Sequence, residues 1–471
     1  MKNRARRITK KVPGLHSKAA VQSVLEKVSE LKRVLPPLSQ VEQQIEKAKE
    51  QYGHQLMEDH LKSLPEESGL LESCPRCKKP VRLRTKDVPR RFLSTTGAHR
   101  ICRNYYYCEP CKHGFYPRDI ALGLPEDGEI TLALEEKIVD FALNEPYNTA
   151  EERWALHYRS PASSNLFRRV VDRVAKRFEA TNPAVLQAAL SLPKAEAAEV
   201  LVVMTDGSMI PMRGGHWKEV KLGAVFRAEN HLRGTSSKRG QVSDARYVAV
   251  LGAQQEFKTS LEFAIQAETL VPAKQIVWLG DGAPGNWNLA STLCPQATQI
   301  LDWYHAVEHG MDLGSSLLGE QSPYLVQWKA RMTHLLYEGK TEELLKEVMA
   351  CIPVLDRGQA GKGQKQTLTR FVQYVRKNAA RMQYRMFVDR GFMIGSGIVE
   401  SAHRHVIQER MKRAGQHWSM RRGAQMAKLR AAYKTAGRAR FHQALTWAYR
   451  NAPLSKIPLS SPTLKRRASN R

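Results

Sequence analysis

Three acidic side chains and four thiols stand where chemistry could be done. Asp206 and Asp281 each follow a short apolar run, Val200-Leu-Val-Val-Met204 and Ile276-Val-Trp-Leu279, and each is followed by glycine. Such runs read as buried strands, and open α/β sheets place ligands at the carboxyl ends of their strands. A carboxylate there can face a cation while the glycine lets backbone or substrate come close. If the two strands are neighbours, both acids reach one or two Mg2+ (or Mn2+) ions, which take hard oxygen ligands and keep several waters. An Asp-Gly pair is also ordinary turn chemistry, and at each position that alternative stays open. The third acid is Glu400, in Ile394-Gly-Ser-Gly-Ile-Val-Glu400, placed in the first turn of the helix that the glycines open. The helix dipole favours an acid there in any case. The cations around it, Arg404, Arg410, Lys412 and Arg413, suit a phosphate backbone held beside carboxylates.

The thiols come as Cys74-Pro-Arg-Cys77 and Cys108-Glu-Pro-Cys111. Two Cys-x-x-Cys knuckles in an intracellular chain read as metal ligands before disulfides, and together they complete a closed tetrahedral Zn2+ site. The 30 residues between the knuckles leave room for a hairpin. Cys102 is a substitute ligand by position, and Cys294 and Cys351 read as buried thiols.

The elements that must position these groups fall into blocks. Residues 1–66 read as an N-terminal helical region, with Val21, Leu25, Val28, Leu31 and Leu35 at helical spacing before Pro36-Pro37, and a second helix through Val41, Ile45, Leu56 and Leu61. Residues 67–124 form the zinc-ribbon-like block, with Tyr105–Tyr107 in a strand. Residues 125–185 return to helical spacing: one helix through Leu132, Leu134, Ile138 and Phe141, a short one near Glu151–His157, and a third after Ser160-Pro-Ala-Ser-Ser164 that buries Phe167, Val170, Val171, Val174 and Phe178. A basic third helix carrying Arg168, Arg169 and Arg173 fits a helix-turn-helix lying in a major groove, and a small helical bundle shows the same spacing.

From 196 to 305 the period becomes strand-like. Strands over Val200–Met204, Val220–Phe226, Tyr247–Leu251, Ile276–Leu279 and Gln299–Leu301, with a helix over Phe257–Ala267, follow the order of a ribonuclease-H-like core, an order that other α/β folds share. Residues 306–393 are helical around a flexible stretch at 357–365. Residues 394–445 read as the last part of the core with long basic helices, and 446–471 as a basic flexible tail.

Composition bounds the partners. With 74 Lys+Arg against 46 Asp+Glu the formal charge is +28. Beyond Glu400 stand 17 basic residues and one acid, Glu409, so more than half of the excess lies in the last 71 positions. A polyanion, normally nucleic acid, is the expected partner, and a solvated tail is the bland alternative. With 42% hydrophobic residues the chain can bury real cores. It has no apolar run of about 18 residues to span a bilayer and no secretory leader behind its basic start, so a cytoplasmic place and no membrane partner are expected. Gly280-Asp-Gly282-Ala-Pro-Gly285 matches a dinucleotide loop, but Asp281 would put a negative charge against the pyrophosphate. Gly358–Gln364 fails the phosphate-loop pattern because Gln364 stands where Lys is required.

Six segments, in order, resemble one family: Asp206-Gly-Ser, Trp217-Lys-Glu-Val-Lys221, Trp278-Leu-Gly-Asp-Gly282, Asp302-Trp-Tyr-His305, Gly395-Ser-Gly-Ile-Val-Glu400 and Arg410-Met-Lys-Arg-Ala-Gly-Gln-His-Trp418. They look like bacterial insertion-sequence transposases of the ISKra type, in the wider DDE group related to Mutator-like elements. The resemblance implies a ribonuclease-H-like core with an all-helical insertion between the second Asp and the Glu. It implies Asp206, Asp281 and Glu400 as the catalytic, Mg-holding triad, and Asp302 and His305 as support, with a packing histidine at a helix start as the other reading of His305. It further implies double-stranded DNA partners (terminal inverted repeats and target), two ends synapsed by a dimer or larger homo-oligomer, and a bacterial, nucleoid-associated setting. Water would free a 3′-hydroxyl that then attacks target DNA. Arg404, Arg410, Lys412 and Arg413 would meet phosphates, and Trp418 a base or the core. A non-catalytic DNA-binding regulator and a metal-dependent nuclease without strand transfer are the competing functions.

Overall fold

The computed structural model describes residues 37–65, 73–125, 129–158, 161–190, 196–233, 240–352 and 362–450, with positions 22 and 26. The helix expected before Pro36, the loop through Lys238 and Arg239, most of the 357–365 stretch and the tail past 450 lie outside them. The chain folds as two units, Met1–Val171 and Asp172–Arg471, in a mixed α+β arrangement.

In the first unit, α1 (Leu38–Lys62) starts directly after Pro37, whose ring suits a helix entry. β1 (Arg82–Ser94) and β2 (Gly97–Cys108) form a long antiparallel hairpin, and β3 (His113–Phe115) pairs with β2. The hairpin is the insertion that the spacing between the knuckles anticipates, and Tyr105–Tyr107 lie in β2. Gly97 closes its tip at φ +122°, a conformation that favours glycine. Phe92, Ile101 and Leu124 pack with Leu61 and Leu122. α2 (Pro117–Ala121) brings buried Asp119 between Arg90 and Arg103, both of which pair with its Oδ2. Next come α3 (Leu132–Asn144), capped by Thr131, α4 (Tyr147–His157) and α5 (Ser164–Ala180). Trp154, fully buried, stacks on Tyr158 at 4.2 Å and meets Phe167 edge-on, which joins α4 to the start of α5.

The second unit is built on one sheet. After α6 (Pro183–Leu190) come β4 (Val200–Pro211), β5 (Trp217–Arg227), the small pair β6 (His231–Arg233) and β7 (Gly240–Val242), and β8 (Ala245–Leu251). Then follow α7 (Gln254–Glu268), β9 (Gln275–Gly280), α8 (Pro284–Leu293) and β10 (Thr298–Leu301). The strand order is β10-β9-β4-β5-β8, with β10, β9 and β4 mutually parallel and β5 antiparallel to both its neighbours. The inner residues of β4 and all of β8 are buried, as expected of strands covered on both faces. Arg246 on β8 is 1% exposed and is held by Glu268 at 2.9 Å and the Gln187 carbonyl at 2.6 Å.

Helices α9 (Trp303–Leu318), α10 (Tyr324–Tyr337), α11 (Thr341–Met349), α12 (Lys362–Asn378) and α13 (Tyr384–Asp389) pack on one another before the chain returns to the sheet. The return is less regular than long basic helices. α14 (Gly397–Ala402) widens into a π-helical turn over His403–Gln408, α15 (Glu409–Met411) is short, and α16 (Met420–Arg450) bends at Gly437.

Candidate active site

Strand register puts the acids in line. Met204 of β4 pairs with Leu279 of β9, so Asp206 and Asp281, each two residues further on, stand level on neighbouring parallel strands. Leu301 of β10 pairs with Gly280, which places Asp302 level with Asp281 on its other side. Asp206 thus stands just past the stretch where β4 pairs with β9, and Asp281 and Asp302 directly follow the last residues of β9 and β10.

Each is held differently. Asp206 Oδ1 accepts the Gly207 N–H at 2.7 Å, and its Oδ2 lies 3.3 Å from Nε2 of His403. The His403 ring is buried and stands at ion-pair distance without hydrogen-bond alignment. Burial pushes the Asp206 carboxyl up, but His403, the Gly207 N–H and the His305 charge outweigh it, and the group ends below its ordinary range. Asp281 Oδ1 accepts from Asn286 Nδ2 at 2.7 Å and from the Ala283 N–H at 3.0 Å. Asn286 Oδ1 in turn accepts from the Thr205 hydroxyl at 2.9 Å, so one amide ties Asp281 to β4.

Asp302 is fully buried and does structural work. It caps α9 by accepting the His305 N–H at 2.8 Å, and its other oxygen accepts the Ser396 N–H. The Trp303 N–H donates to Ile394 O at 2.9 Å. These bonds fasten the Gly395–Gly397 loop to the end of β10. Glu400 lies in the first turn of α14, exposed, with its Oε1 3.4 Å from Ser396 Oγ, and α14 packs on β4 and β5. His403 lies one helical turn past Glu400 and contacts Asp206, so the Glu400 helix arrives at the β4 acid. Buried Arg430 donates to the carbonyls of His405 and Val406 and so braces the π turn, a device often found at functional sites.

His305 lies among the acids. Its hydrogen bond to Asp302, Nδ1 to Oδ1 at 3.1 Å, followed by the charges of Asp302, Asp281 and Asp206, raises its pKa from 6.5 to about 9 against the effect of burial. The Tyr374 hydroxyl of α12 is buried beside Asp281 and Asp302, and its ionisation is pushed up by burial and those charges. Spacing alone shows no role for Asn286, Ser396, Tyr374 or Arg430. His403 stands one helical turn from Glu400 in the sequence, but the residues of α14 carry no label for the side that meets β4.

Of the residues read as DNA-facing, Arg410 is buried, and Trp418 takes the core, one of its two expected places. Arg410 is 1% exposed, with its guanidinium 5.2 Å from the Trp418 ring centroid, and Trp418 is itself buried and donates Nε1–H to Met411 O at 3.0 Å. Trp418 also bridges to Met212 just past β4, so both residues belong to the packing that closes the sheet edge. Arg404, Lys412 and Arg413 are exposed. On α5, Arg169 is exposed, Arg168 is half-buried, and Arg173 has an enclosed guanidinium nitrogen.

The four knuckle thiols converge, with all sulfurs within 4.8 Å of one another, Cys74 to Cys111 at 3.9 Å and Cys77 to Cys108 at 3.5 Å. Lys78 and Lys112, each just after its knuckle, take matching left-handed conformations at φ 60° and 47°. The Arg76 N–H lies 3.4 Å from Cys74 Sγ. Backbone and thiol hydrogen bonds pull Cys77 down to about 7, while Cys77 and burial push Cys111 up to about 12. Cys102 is exposed on β2 and outside the group, and Cys294 is buried whereas Cys351 is half-buried. Among the described residues, one other set of metal-ligating side chains is drawn this close together, His54, Glu58 and His99; Asp206, Asp281 and Glu400 are spread more widely.

Together these features define a protein with a four-cysteine cluster and an α/β sheet with acids after its parallel strands. The chain belongs to the Uncharacterised protein family (UPF0236), whose pattern matches residues 36–446. No curated protein sequence matches it. Among solved structures it is similar to a chain of the Drosophila P element transposase strand transfer complex, at 12% identity over 71% of this chain and 84% of that one, with a TM-score of 0.25. No described helix is long and apolar enough to cross a membrane.

Proposed function

We propose that this protein is a DDE-type DNA transposase of an insertion sequence, resembling the ISKra type, acting with the nucleoid in a bacterial cytoplasm. The observation that supports the reading is that Asp206 lies just past the β4–β9 pairing and Asp281 directly follows β9, while the Asp302–Ser396 and His403–Asp206 contacts tie the segment carrying Glu400 to β10 and β4. The strand order, with β4 central, β5 antiparallel beside it and β8 antiparallel beyond β5, supports a ribonuclease-H-like core. The helices from Trp303 to Asp389 stand where that fold would take its insertion.

The donor set fits magnesium: three carboxylate oxygens, no soft ligand, and an exposed Glu400 open to substrate and water. Two ions about 3.5–4 Å apart, each about 2.1 Å from its ligands, let outer carboxylates stand up to roughly 8 Å from each other. Bound there, magnesium supplies Lewis-acid stabilisation of an in-line displacement at phosphorus. The chain's own residues do the rest. The Gly207 N–H and His403 fix the Asp206 carboxylate, and Asn286 and the Ala283 N–H fix Asp281. Exposed Arg404, Lys412 and Arg413 hold backbone phosphates, and Arg168 and Arg169 serve the helix-turn-helix-like segment on double-stranded DNA. The four cysteines hold a structural Zn2+ in a ribbon. Synapsis of two element ends requires a dimer or a larger homo-oligomer.

The test is a magnesium-dependent reaction on duplexes carrying the element's terminal repeats. Cleavage at the element end, followed by joining of its 3′-hydroxyl to a second duplex, supports the proposal. Cleavage without joining would leave a metal-dependent nuclease, and binding without cleavage a regulator.

A further inference from the structure

In the first unit, α1 and the β1–β2 hairpin bring together three side chains that the proposed reaction does not use. His54 and Glu58 lie four residues apart on α1, hence on one face of it, and His99 projects from β2. One ligand atom from each lies within 4.8 Å of the others. His99 is buried, whereas the Glu58 side chain keeps 29% of its surface, so the set is closed on the hairpin side and open to water on the other.

The second nitrogen of each ring is already occupied by oxygen partners. His54 Nδ1 lies 3.1 Å from Thr96 O, which assigns that N–H to the carbonyl and turns Nε2 into a lone-pair donor. His99 Nε2 lies 3.0 Å from both the Ser94 and Thr96 hydroxyls, and its Nδ1 is 2.5 Å from Glu58 Oε1. When Nε2–H is given to those hydroxyls, Nδ1 presents a lone pair to a carboxylate, an arrangement held by a shared proton or by a metal ion. Metal-bound histidines are oriented in just this way, by a carbonyl or hydroxyl on the far nitrogen. The two rings lie stacked, 4.7 Å apart at 19°, so one ring must tilt for both to meet a single ion. Gly97 makes the approach feasible, since a Cβ there would stand 3.1 Å from His54 Nδ1.

We propose that His54, Glu58 and His99 form a second transition-metal site, separate from the cysteines, which takes zinc with water in the fourth position. Two imidazoles and one carboxylate are a borderline donor set that suits Zn2+ and is poor for Mg2+ or Ca2+. Zinc bonds of about 2.0–2.1 Å at tetrahedral angles separate ligands by roughly 3.3 Å, so Glu58 and His99 open by under about 1 Å on binding. The site would pin α1 to the tip of the hairpin.

Full-length protein is equilibrated with excess zinc, freed of loose metal, and measured for zinc per chain alongside its far-ultraviolet circular dichroism. His54→Ala should hold one zinc fewer than wild type at unchanged helical signal, whatever the cysteines hold. Cobalt substitution should show that its thiolate-to-metal absorption is intact. Glu58→Gln, which keeps the shape and the contact to His99, gives the same readout should His54→Ala fail to fold. Equal zinc content in wild type and either folded variant would overturn the proposal and leave a proton-bridged Glu58–His99–Ser94 relay.

Discussion

The cysteine cluster and the carboxylate edge solve one problem, gathering like-charged or ionisable ligands, by opposite routes. The thiols come as two short knuckles, each closed by its own backbone turn, with a left-handed lysine after each. The geometry of each half is written within four consecutive residues, and the hairpin has only to bring two halves together. The acids stand at positions 206, 281, 302 and 400, and no local turn makes them neighbours. Strand register aligns the first three, and a chain of bonds through Asp302, Ser396 and His403 delivers the fourth. A locally coded site is robust to changes elsewhere, whereas a register-coded site depends on the whole sheet.

That contrast can be broken first at its largest effect. On the proposed zinc ribbon, Cys74→Ser removes one of four ligands, two of them buried, from a centre whose metal-coupled folding energy would be on the order of 10 kcal/mol. Release of zinc and loss of the hairpin's circular dichroism and near-ultraviolet signals are expected. Asp281→Asn should do the reverse: the melting temperature stays within a few degrees while cleavage falls by about 10²–10³-fold or more, the scale for losing one preorganised electrostatic partner. Retained cleavage in Asp281→Asn would separate the edge from catalysis.

Arg410 and Lys412 sharpen the same contrast on the basic segment. Arg410→Ala should lower stability through the lost packing of its buried side chain against Trp418, read as a lower denaturant midpoint. Lys412→Ala should leave stability unchanged, weaken DNA binding across sequences, and reduce the salt-dependence slope by about 1. An Arg410→Ala protein of full stability and weakened DNA binding would restore Arg410 to the DNA-facing set.

The smallest effect is a pH slope. Because the folded pKa of His305 is raised from 6.5 to about 9, its contribution to stability is complete below pH 6.5 and is lost as pH rises through about 9. Melting temperature in magnesium-free buffer should therefore fall across that window, and His305→Gln should flatten the fall. An identical slope in both proteins would remove His305 from the account.

Much of this was legible beforehand because burial writes itself as apolar runs. The strands at Val200–Met204, Ile276–Leu279 and Gln299–Leu301 appear where their β-rich stretches predict them, as do the helices around Phe141 and Phe167. The knuckles were legible because four cysteines at that spacing have few other uses. What was not legible depends on tertiary placement. Arg410 and Trp418 look like an exposed basic-aromatic stretch, yet the chain turns there to close the end of β4, and both are covered. Asp302 resembles its neighbours on the sheet but spends both oxygens on capping α9 and holding Ser396. The His54, Glu58 and His99 set has no sequence signature, because its third member comes from a hairpin 41 positions beyond Glu58.

The central claim is that Asp206, Asp281 and Glu400 surround a common divalent-cation site. Ferrous iron loaded in place of magnesium, with ascorbate and peroxide, cuts backbone within reach of the ion it replaces. The account predicts cuts clustered near 206, 281 and 400 in one digest, all suppressed together by excess magnesium and by Asp281→Asn. Cuts near one of these positions alone, or a pattern that Asp281→Asn leaves unchanged, would contradict it.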